Sequence, residues 1–213
     1  MMQLYSYWRS SSSYRVRIAL ELKGMAYELM PVHLVRDGGQ QRQAAYAAIN
    51  PQGYVPLLVD GDLRLSQSLA IIDYLESVQA EPTLIPVHQP ERSRVLAFAQ
   101  TVACDIQPLQ NLSVLQHLTD ALGHPDEMRV QWSAHWIRRG LAALEQMLDP
   151  AAGDYCMGEA PTLADVVLVP QMYNAERFGI ALDEFPALAR VTRHCRSLPA
   201  FQRAHPNAQP DAE

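Results

Sequence analysis

A run of four serines, Ser10 to Ser13, stands where one structural period gives way to another. Before it, residues 2–7 roughly alternate between polar and apolar, as a half-buried strand does. After it, Val16, Ala19 and Leu20 follow the i, i+3, i+4 spacing of a helix. A helix start carries unpaired N–H groups and a partial positive charge, so this strand-to-helix turn is suited to holding an anion.

Two roles fit these serines. One serine can cap the helix while the others are turn residues. A serine nucleophile would need a base beside it, yet the run has no histidine nearby and no nucleophile-elbow pattern. Instead, a hydroxyl can donate a hydrogen bond to a bound anion such as a thiolate. The run by itself leaves capping and anion binding open.

The cysteines and histidines suggest no other reactive centre. Cys104, Cys156 and Cys195 are far apart, their number is odd, and no CxxC pair occurs, which argues against a disulfide framework and a zinc site. Each is expected to be a small buried hydrophobe. The seven histidines are scattered without metal-binding spacing, so no metal site is predicted. A sulfur used in catalysis would then come from outside the chain.

Composition narrows the class of protein. The 213 residues, 48% of them hydrophobic and 19% charged, can bury the core of one large domain or two small ones. The net charge of −6 argues against nonspecific nucleic-acid binding. There is no uncharged apolar run of membrane-spanning length and no signal-peptide pattern, which predicts a cytoplasmic protein without a membrane partner.

The first part of the chain predicts an α/β domain over residues 1–80. After the first strand and helix come a second strand, a short helix, a hairpin and an amphipathic helix, within residues 27–32, 40–49, 55–59, 63–65 and 69–75. A helix joins the first two strands, so they are expected to be parallel. The resulting order is βαβ–ββα.

The second part predicts an all-helical domain over residues 91–213, after a proline-containing linker at 81–90. Long helices are expected at 91–119 and 126–148, a break at 149–161, and shorter helices at 186–197 and 199–204. Thr162 and Asp165 form a capping-box pattern ahead of an apolar run, where Pro170 is expected to kink the helix or strain its first turns. The tail from Pro206 is expected to be frayed.

This arrangement resembles the cytosolic glutathione transferases. Residues 9–20, RSSSSYRVRIAL, resemble the zeta-class signature RSSCSxRVRIAL. Further zeta-like stretches occur in matching order at Asp37–Gln41, Asn50–Pro51, Val55–Pro56, Gln67–Ile72, Gln107–Leu112 and Asn174–Phe178. The resemblance covers nearly the whole chain. It implies the glutathione transferase fold with a thioredoxin-like first domain, glutathione as coenzyme, and a homodimer.

The resemblance also implies a reaction, the cis–trans isomerisation of maleylacetoacetate to fumarylacetoacetate in tyrosine and phenylalanine breakdown. In the related maleylpyruvate isomerases, another arginine is expected shortly after Gln107–Pro108. This chain has Leu112–Ser113 there, which favours maleylacetoacetate. Alternatives are maleylpyruvate isomerisation, a glutathione transferase acting on α-haloacids, and a non-catalytic glutathione-binding module.

Site residues follow from the resemblance residue by residue. Ser10 is expected to bind the glutathione thiolate, with Ser11 as the close alternative. Ser12, a further expected glutathione contact, stands where the family has cysteine, so a role for that thiol does not apply. The other implied glutathione contacts are Gln40, Val55, Pro56, Gln67, Ser68, Gln110 and Asn111.

Several of these residues also have simpler interpretations. The Val55–Pro56 bond is cis in the resembling fold, but an ordinary trans proline also suits a strand start. Ser68 can cap a helix or bind the γ-glutamyl carboxylate at the helix start. Gln110 and Asn111 can be solvated surface residues.

Two arginines are candidates for the carboxylates of a dicarboxylate substrate. Arg9 precedes the serine run, and Arg177 lies in the NAERF stretch. Guanidinium binds a carboxylate through two parallel N–H donors, which suits a substrate with an anion at each end. For Arg177 the alternative is a surface ion pair with Glu176.

Overall fold

The structure, a computed structural model, describes residues 1–148 and 153–213 and consists of two compact units. Residues 1–83 and 198–213 form the first unit, and residues 84–197 form the second. The division lies within the stretch 81–90 that the sequence assigns to a linker. The last 16 residues are grouped with the first unit, whereas the sequence assigns them to the helical domain. The start of the predicted break, residues 149–152, lies outside the described residues.

A four-stranded sheet lies in the first unit in the order β2-β1-β3-β4. Its strands are β1 (Met2–Ser6), β2 (Tyr27–Pro31), β3 (Leu57–Asp60) and β4 (Leu63–Ser66). β1 pairs in parallel with β2 and antiparallel with β3, and β3 pairs antiparallel with β4. The predicted parallel pair and hairpin are confirmed.

The α-helices are, in chain order, α1 (Ser11–Lys23), α2 (Ala44–Ala47), α3 (Ser68–Val78), α4 (Glu91–Gln100), α5 (Leu112–Gln116), α6 (Glu127–Met147), α7 (Leu163–Arg177), α8 (Pro186–Ser197) and α9 (Pro199–Ala204). α1 ends where predicted, at Gly24, whose φ of 62° is the left-handed conformation that glycine adopts freely. α7 begins with the predicted capping box and continues through Pro170. Within the described ranges, no helix has both the length and the apolar composition that crossing a bilayer requires.

The predicted continuous helix at 91–119 is wrong. α4 passes into a wider π-helical turn at Thr101–Ile106 and a 3-10 turn at Gln107–Gln110, and α5 is followed by a second π-helical turn at His117–Ala121. Pro108 has no N–H with which to continue the α-helical pattern. The pattern of apolar residues is preserved through these changes, which is why the sequence does not reveal them.

Side chains satisfy the backbone groups at this interruption. The Asn111 Oδ1 accepts from the Ser113 N–H at 3.0 Å and so starts α5 as its cap. That N–H is the α-helical partner that the Leu109 carbonyl would otherwise have. The indole N–H of Trp132 on α6 donates to the Leu109 carbonyl instead, at 2.7 Å. The interruption is therefore a built feature of the second unit.

The C-terminal tail is ordered against the first unit, and the prediction that it frays is wrong. The backbone N–H of Trp8 donates to the Asp211 carboxylate at 3.0 Å. Gln209 is buried, and its amide donates to two backbone carbonyls. Polar composition predicted fraying because sequence alone does not show these acceptors.

Arg17 on α1 is fully buried and holds the segment that leads into the serine run. Its guanidinium donates to the Trp8 carbonyl at 2.9 Å and to the Ser6 hydroxyl at 3.0 Å. It also donates to the Ala204 carbonyl, at 3.0 Å, at the end of α9. One side chain thereby joins the end of β1, the turn before α1 and the C-terminal helix.

We expect Arg17→Met to lower the free energy of unfolding by about 3 kcal/mol or more, since methionine leaves several buried acceptors without donors. Denaturant unfolding followed by circular dichroism measures the change. The matched control is Arg203→Met, which removes an exposed arginine paired with Glu21 at 2.6 Å in the same unit and should change stability by less than about 1 kcal/mol. Equal effects of the two substitutions would contradict the structural role of Arg17.

Candidate active site

Ser10 is the N-cap of α1, and its geometry combines the two roles that the sequence leaves open. Its Oγ accepts from the Ser13 N–H at 3.2 Å, and its carbonyl accepts from the Tyr14 N–H at 2.9 Å. A hydroxyl that accepts through its oxygen still has a proton to donate. Ser10 is half-buried, so it can cap the helix and donate to an external anion at the same time.

The next two residues add backbone donors at the same place. Ser11 and Ser12 are the first residues of α1, where a helix offers N–H groups no internal partner. Neither N–H pairs with another group in the described parts of the chain. Ser11 is buried and Ser12 is half-buried. The start of α1 therefore offers several neutral donors at the positive end of the helix dipole. Both features favour binding of an anion.

A second helix start with free donors lies at α3. The N-cap residue is Gln67, whose side chain makes no capping bond, and its φ of 73° is unusual for a residue with a side chain. Ser68 is the first helical residue and not the cap, so the capping interpretation for Ser68 is wrong. The Gln67 amide instead bonds to the Gln52 amide at 3.0 Å.

Ser68 is tied to α1 by an arginine that sequence reasoning missed. Arg15 is almost fully buried, and its guanidinium donates to the Ser68 Oγ at 3.2 Å. Arginine has no acceptor, so Ser68 accepts this bond and keeps its own proton to donate. The signal in the sequence is weak, because α1 also contains Arg17, Glu21 and Lys23, and only the structure shows which of its charged residues are buried.

The Val55–Pro56 peptide bond is cis, as the resemblance implies. Val55 packs in a buried cluster with Tyr7 and Trp8, which places this turn beside the segment that leads to Ser10. Neither the N–H nor the C=O of Val55 pairs with another group in the described residues. An unpaired donor and acceptor on one residue can bind an extended peptide as an added strand does.

Gln40 lies in the same unit and is mainly part of its loop. Its backbone N–H donates to the His33 carbonyl at 2.8 Å, and its side-chain oxygen accepts from the His33 N–H at 2.7 Å. This leaves the side-chain amide nitrogen of Gln40 as the group that a ligand could contact.

The remaining predicted glutathione contacts belong to the second unit and already have partners there. Gln110 is only 6% exposed, and its amide donates to the buried Gln171 at 2.8 Å. Asn111 caps α5 with its side chain. The structure gives Gln110 a buried position among the helices, where its amide nitrogen is used by Gln171, and its contact with glutathione stays a prediction.

The two candidate arginines have different surroundings. Arg9 is half-buried with its guanidinium 5.3 Å from the centre of the Trp8 ring, and no carboxylate among the described residues pairs with it. Arg177 is exposed at the end of α7 and donates to the Asn174 side chain at 3.1 Å. Glu176, the partner in the alternative interpretation, accepts from Arg196 through both of its carboxylate oxygens.

Two of the chain's three thiols are unsuited to nucleophilic chemistry. Cys156 and Cys195 are fully buried, and burial, together with the nearby Asp165 carboxylate, raises the pKa of both thiols well above the ordinary value. They stay protonated at neutral pH, and a thiol is a weak nucleophile. Cys104 is exposed, contrary to the prediction that it is buried. In the described residues, no three His, Cys, Asp or Glu side chains group closely enough to hold a metal ion.

Comparison with known proteins identifies the fold of both units. The family profile described as glutathione S-transferase, N-terminal domain, matches residues 4–83. The profile described as glutathione S-transferase, C-terminal domain, matches residues 120–199. The sheet unit and the helical unit are therefore the two domains of a glutathione S-transferase fold.

Similar proteins of known name indicate which class of glutathione S-transferase this chain resembles. Maleylacetoacetate isomerase of Pseudomonas aeruginosa is 52% identical over 211 residues, covering 99% of this chain and 98% of that protein. Probable maleylacetoacetate isomerase of Vibrio cholerae is 49% identical over 209 residues, covering 98% and 97%. The holo structure of a maleylpyruvate isomerase, described as a bacterial zeta-class glutathione transferase, is 43% identical with a TM-score of 0.95 and covers 99% of this chain and 100% of that chain.

Two further solved structures contain ligands. Maleylacetoacetate isomerase from Methylobacterium extorquens AM1, with bound malonate and glutathione, is 40% identical with a TM-score of 0.94 and 99% coverage of both chains. The enzyme from Anaeromyxobacter dehalogenans 2CP-1, with bound dicarboxyethyl glutathione and citrate, is 45% identical with a TM-score of 0.88 and covers 100% of this chain and 98% of that chain. The present chain belongs to the zeta class of the glutathione S-transferase family, together with the maleylacetoacetate isomerases.

The cap geometry makes a prediction about stability. Ser10→Ala should lower the free energy of unfolding by about 1 kcal/mol, because the Ser13 N–H loses its acceptor. Ser10→Gly should cost only a few tenths of that value, because glycine is also accepted at an N-cap. Thermal and denaturant unfolding measure both, and an alanine variant as stable as the parent would contradict the cap.

Proposed function

We propose that this protein catalyses the glutathione-dependent cis–trans isomerisation of maleylacetoacetate to fumarylacetoacetate. The observation that carries the proposal is the start of α1, where the Ser10 hydroxyl proton and the N–H groups of Ser11 and Ser12 remain available to an anion. A thiolate is an anion that such neutral donors stabilise. The names and high coverage of the relatives support the particular reaction.

Glutathione fits the donors and acceptors that the first unit provides. The cysteinyl backbone of the tripeptide matches the unpaired N–H and C=O of Val55. The γ-glutamyl carboxylate matches the free N–H groups at the start of α3 and the Ser68 hydroxyl. The tripeptide's thiol matches the start of α1. Gln40 is a further proposed contact, through its amide nitrogen.

The chain's contribution to catalysis is electrostatic. When bound, glutathione supplies a sulfur nucleophile that adds reversibly to the cis double bond, which allows rotation before the thiol leaves. A free thiol with a pKa near 8.5 is only a few per cent ionised at neutral pH. The Ser10 hydroxyl and the helix start can lower that pKa by about one or two units, each unit corresponding to about 1.4 kcal/mol. Ser10 donates a hydrogen bond in this scheme and never ionises.

Arg9 and Arg177 are the proposed ligands for the substrate carboxylates. Arg9 has no carboxylate partner of its own in the described residues, so its charge is available to an external anion. Arg177 is exposed and oriented by a neutral side chain. The ligands of two relatives support a dicarboxylate, since malonate carries two carboxylates and dicarboxyethyl glutathione is a glutathione sulfur joined to a dicarboxylic carbon chain.

Maleylpyruvate is the second candidate substrate, favoured by the likeness to a maleylpyruvate isomerase over nearly the whole chain. A transferase acting on α-haloacids would use the same thiolate site. Product analysis separates these possibilities, because an isomerase returns glutathione unchanged and a transferase consumes it. Comparison of kcat/KM for maleylacetoacetate and maleylpyruvate then identifies the preferred substrate, and a ratio in favour of maleylpyruvate would overturn our proposal.

We further propose a cytoplasmic homodimer acting in tyrosine and phenylalanine breakdown. The zeta-class membership supports the homodimer. The assigned substrate supports the pathway, because it is a product of aromatic ring cleavage. Sedimentation of the purified protein tests the dimer.

Ser10→Ala should lower kcat/KM at pH 7 by about three- to tenfold, because it removes the hydroxyl's share of the thiol pKa shift, about one unit, and leaves the helix start in place. The loss should shrink as the pH rises toward 9, where the thiol ionises unaided. Ser77→Ala removes an exposed hydroxyl on α3 and is the matched control. A uniform loss at every pH would move the role away from thiolate stabilisation, and no loss would move it to Ser11.

Arg177→Ala should raise KM for maleylacetoacetate by about tenfold or more, since a charged hydrogen-bonded pair contributes roughly 1.5–3 kcal/mol. The dimethyl ester of the same compound has the same double bond without the charges, so its KM should change much less. Arg9→Ala is tested in parallel. Equal effects on the dianion and the ester would contradict the carboxylate assignment for the arginine concerned.

A further inference from the structure

Asn174 stands three residues before Arg177 on α7, on the same face of the helix. It is only 7% exposed, and its side-chain oxygen accepts from the Arg177 guanidinium at 3.1 Å. A buried short side chain is held in place by its packing, whereas an exposed arginine has four rotatable bonds. The contact therefore joins a fixed acceptor to a mobile cation.

We propose that Asn174 is a positioning residue that presents the Arg177 guanidinium to a carboxylate of the substrate. The inference rests on the proposed function of Arg177 and adds a residue that acts only through it. Asn174 itself is not assigned any contact with the substrate.

Two aromatic rings complete the support. The Arg177 guanidinium carbon lies 5.9 Å from the ring centres of both Tyr173 and Phe178, within the range of a cation–π contact. The rings restrict where the guanidinium lies, and the Asn174 oxygen restricts how it is turned. Orientation matters here because bidentate binding of a carboxylate depends on the plane of the guanidinium.

The chemical nature of the partner is the second part of the argument. An amide oxygen accepts a hydrogen bond without carrying a negative charge, so the Asn174 contact orients the guanidinium without neutralising it. A carboxylate at the same position would orient Arg177 and also neutralise it. Glu176, which adjoins Arg177 in the chain, accepts from Arg196 of α8 at 2.6 and 3.0 Å.

The test compares Asn174→Ala with the isosteric Asn174→Asp, using maleylacetoacetate and its dimethyl ester as substrates. The measured quantity is the ratio of KM for the dianion to KM for the ester. We expect Asn174→Ala to raise this ratio about three- to tenfold, which is the loss of one hydrogen bond to a charged group. Asn174→Asp should raise it further, because the new charge competes with the substrate. A purely structural role would change both KM values together and leave the ratio as it was.

A double-mutant cycle decides whether Asn174 acts through Arg177. In the Arg177→Ala background, Asn174→Ala should have no further effect on the ratio. A persistent effect in that background would overturn the proposal. An unchanged ratio in Asn174→Ala would also overturn it, as would an aspartate variant with a smaller effect than alanine.

The same cycle separates failure of this inference from failure of the proposed function. If Arg177→Ala leaves the ratio unchanged, the carboxylate role of Arg177 is wrong. If Arg177→Ala raises the ratio but Asn174→Ala does not, only the positioning role is wrong.

Glu176→Gln is the control at the same turn of helix, since it breaks the Arg196 pair without touching the Asn174 contact, and it should not raise KM for the dianion. Thermal unfolding of each variant shows that it is folded, and the isosteric Asn174→Asp keeps the test valid if the alanine variant is not.

Discussion

The structure of the first unit depends on a buried guanidinium. Arg17 donates from inside the core to the Ser6 hydroxyl and to the Trp8 and Ala204 carbonyls. Satisfying these groups from within lets the chain turn sharply between β1 and α1 without burying an unpaired carbonyl. This turn places Ser10 at the N-cap of α1. A charge that is costly to bury is accepted here because it is fully hydrogen-bonded.

The site built on this turn uses neutral donors for anions. Serine hydroxyls and helix N–H groups stabilise a negative charge without adding a mobile counter-ion, and they need no proton transfer to do so. A charged side chain contacts one of these hydroxyls: the buried Arg15 guanidinium donates to the Ser68 hydroxyl. Meanwhile the buried cysteines are kept protonated by burial and by Asp165. The reactive sulfur is assigned to glutathione, whose thiol we propose to lie at the start of α1.

The spacing of apolar residues, together with capping and helix-ending residues, predicted most of the fold. The alternation in β1, the helix ended by Gly24 and the Thr162 capping box are local patterns, and the structure contains each of them. The continuous helix at 91–119 failed because an apolar pattern persists through π and 3-10 turns. The predicted frayed tail failed because its partner, the Trp8 N–H, is some two hundred residues away in the chain.

At the site, the sequence alone determined which chemistry is available: hydroxyls at a helix start, and arginines suited to carboxylates. Short-range spacing suffices for that, because strand, turn and helix signals are local. Only the tertiary structure decided which donors are already used. In the tertiary structure the buried Gln110 amide donates to Gln171, and Arg196 donates to the Glu176 carboxylate. Arg177 donates to the Asn174 side-chain oxygen. The physical reason is that a polar side chain's role depends on the partner it meets in space, and residues far apart in the chain carry no local record of that partner.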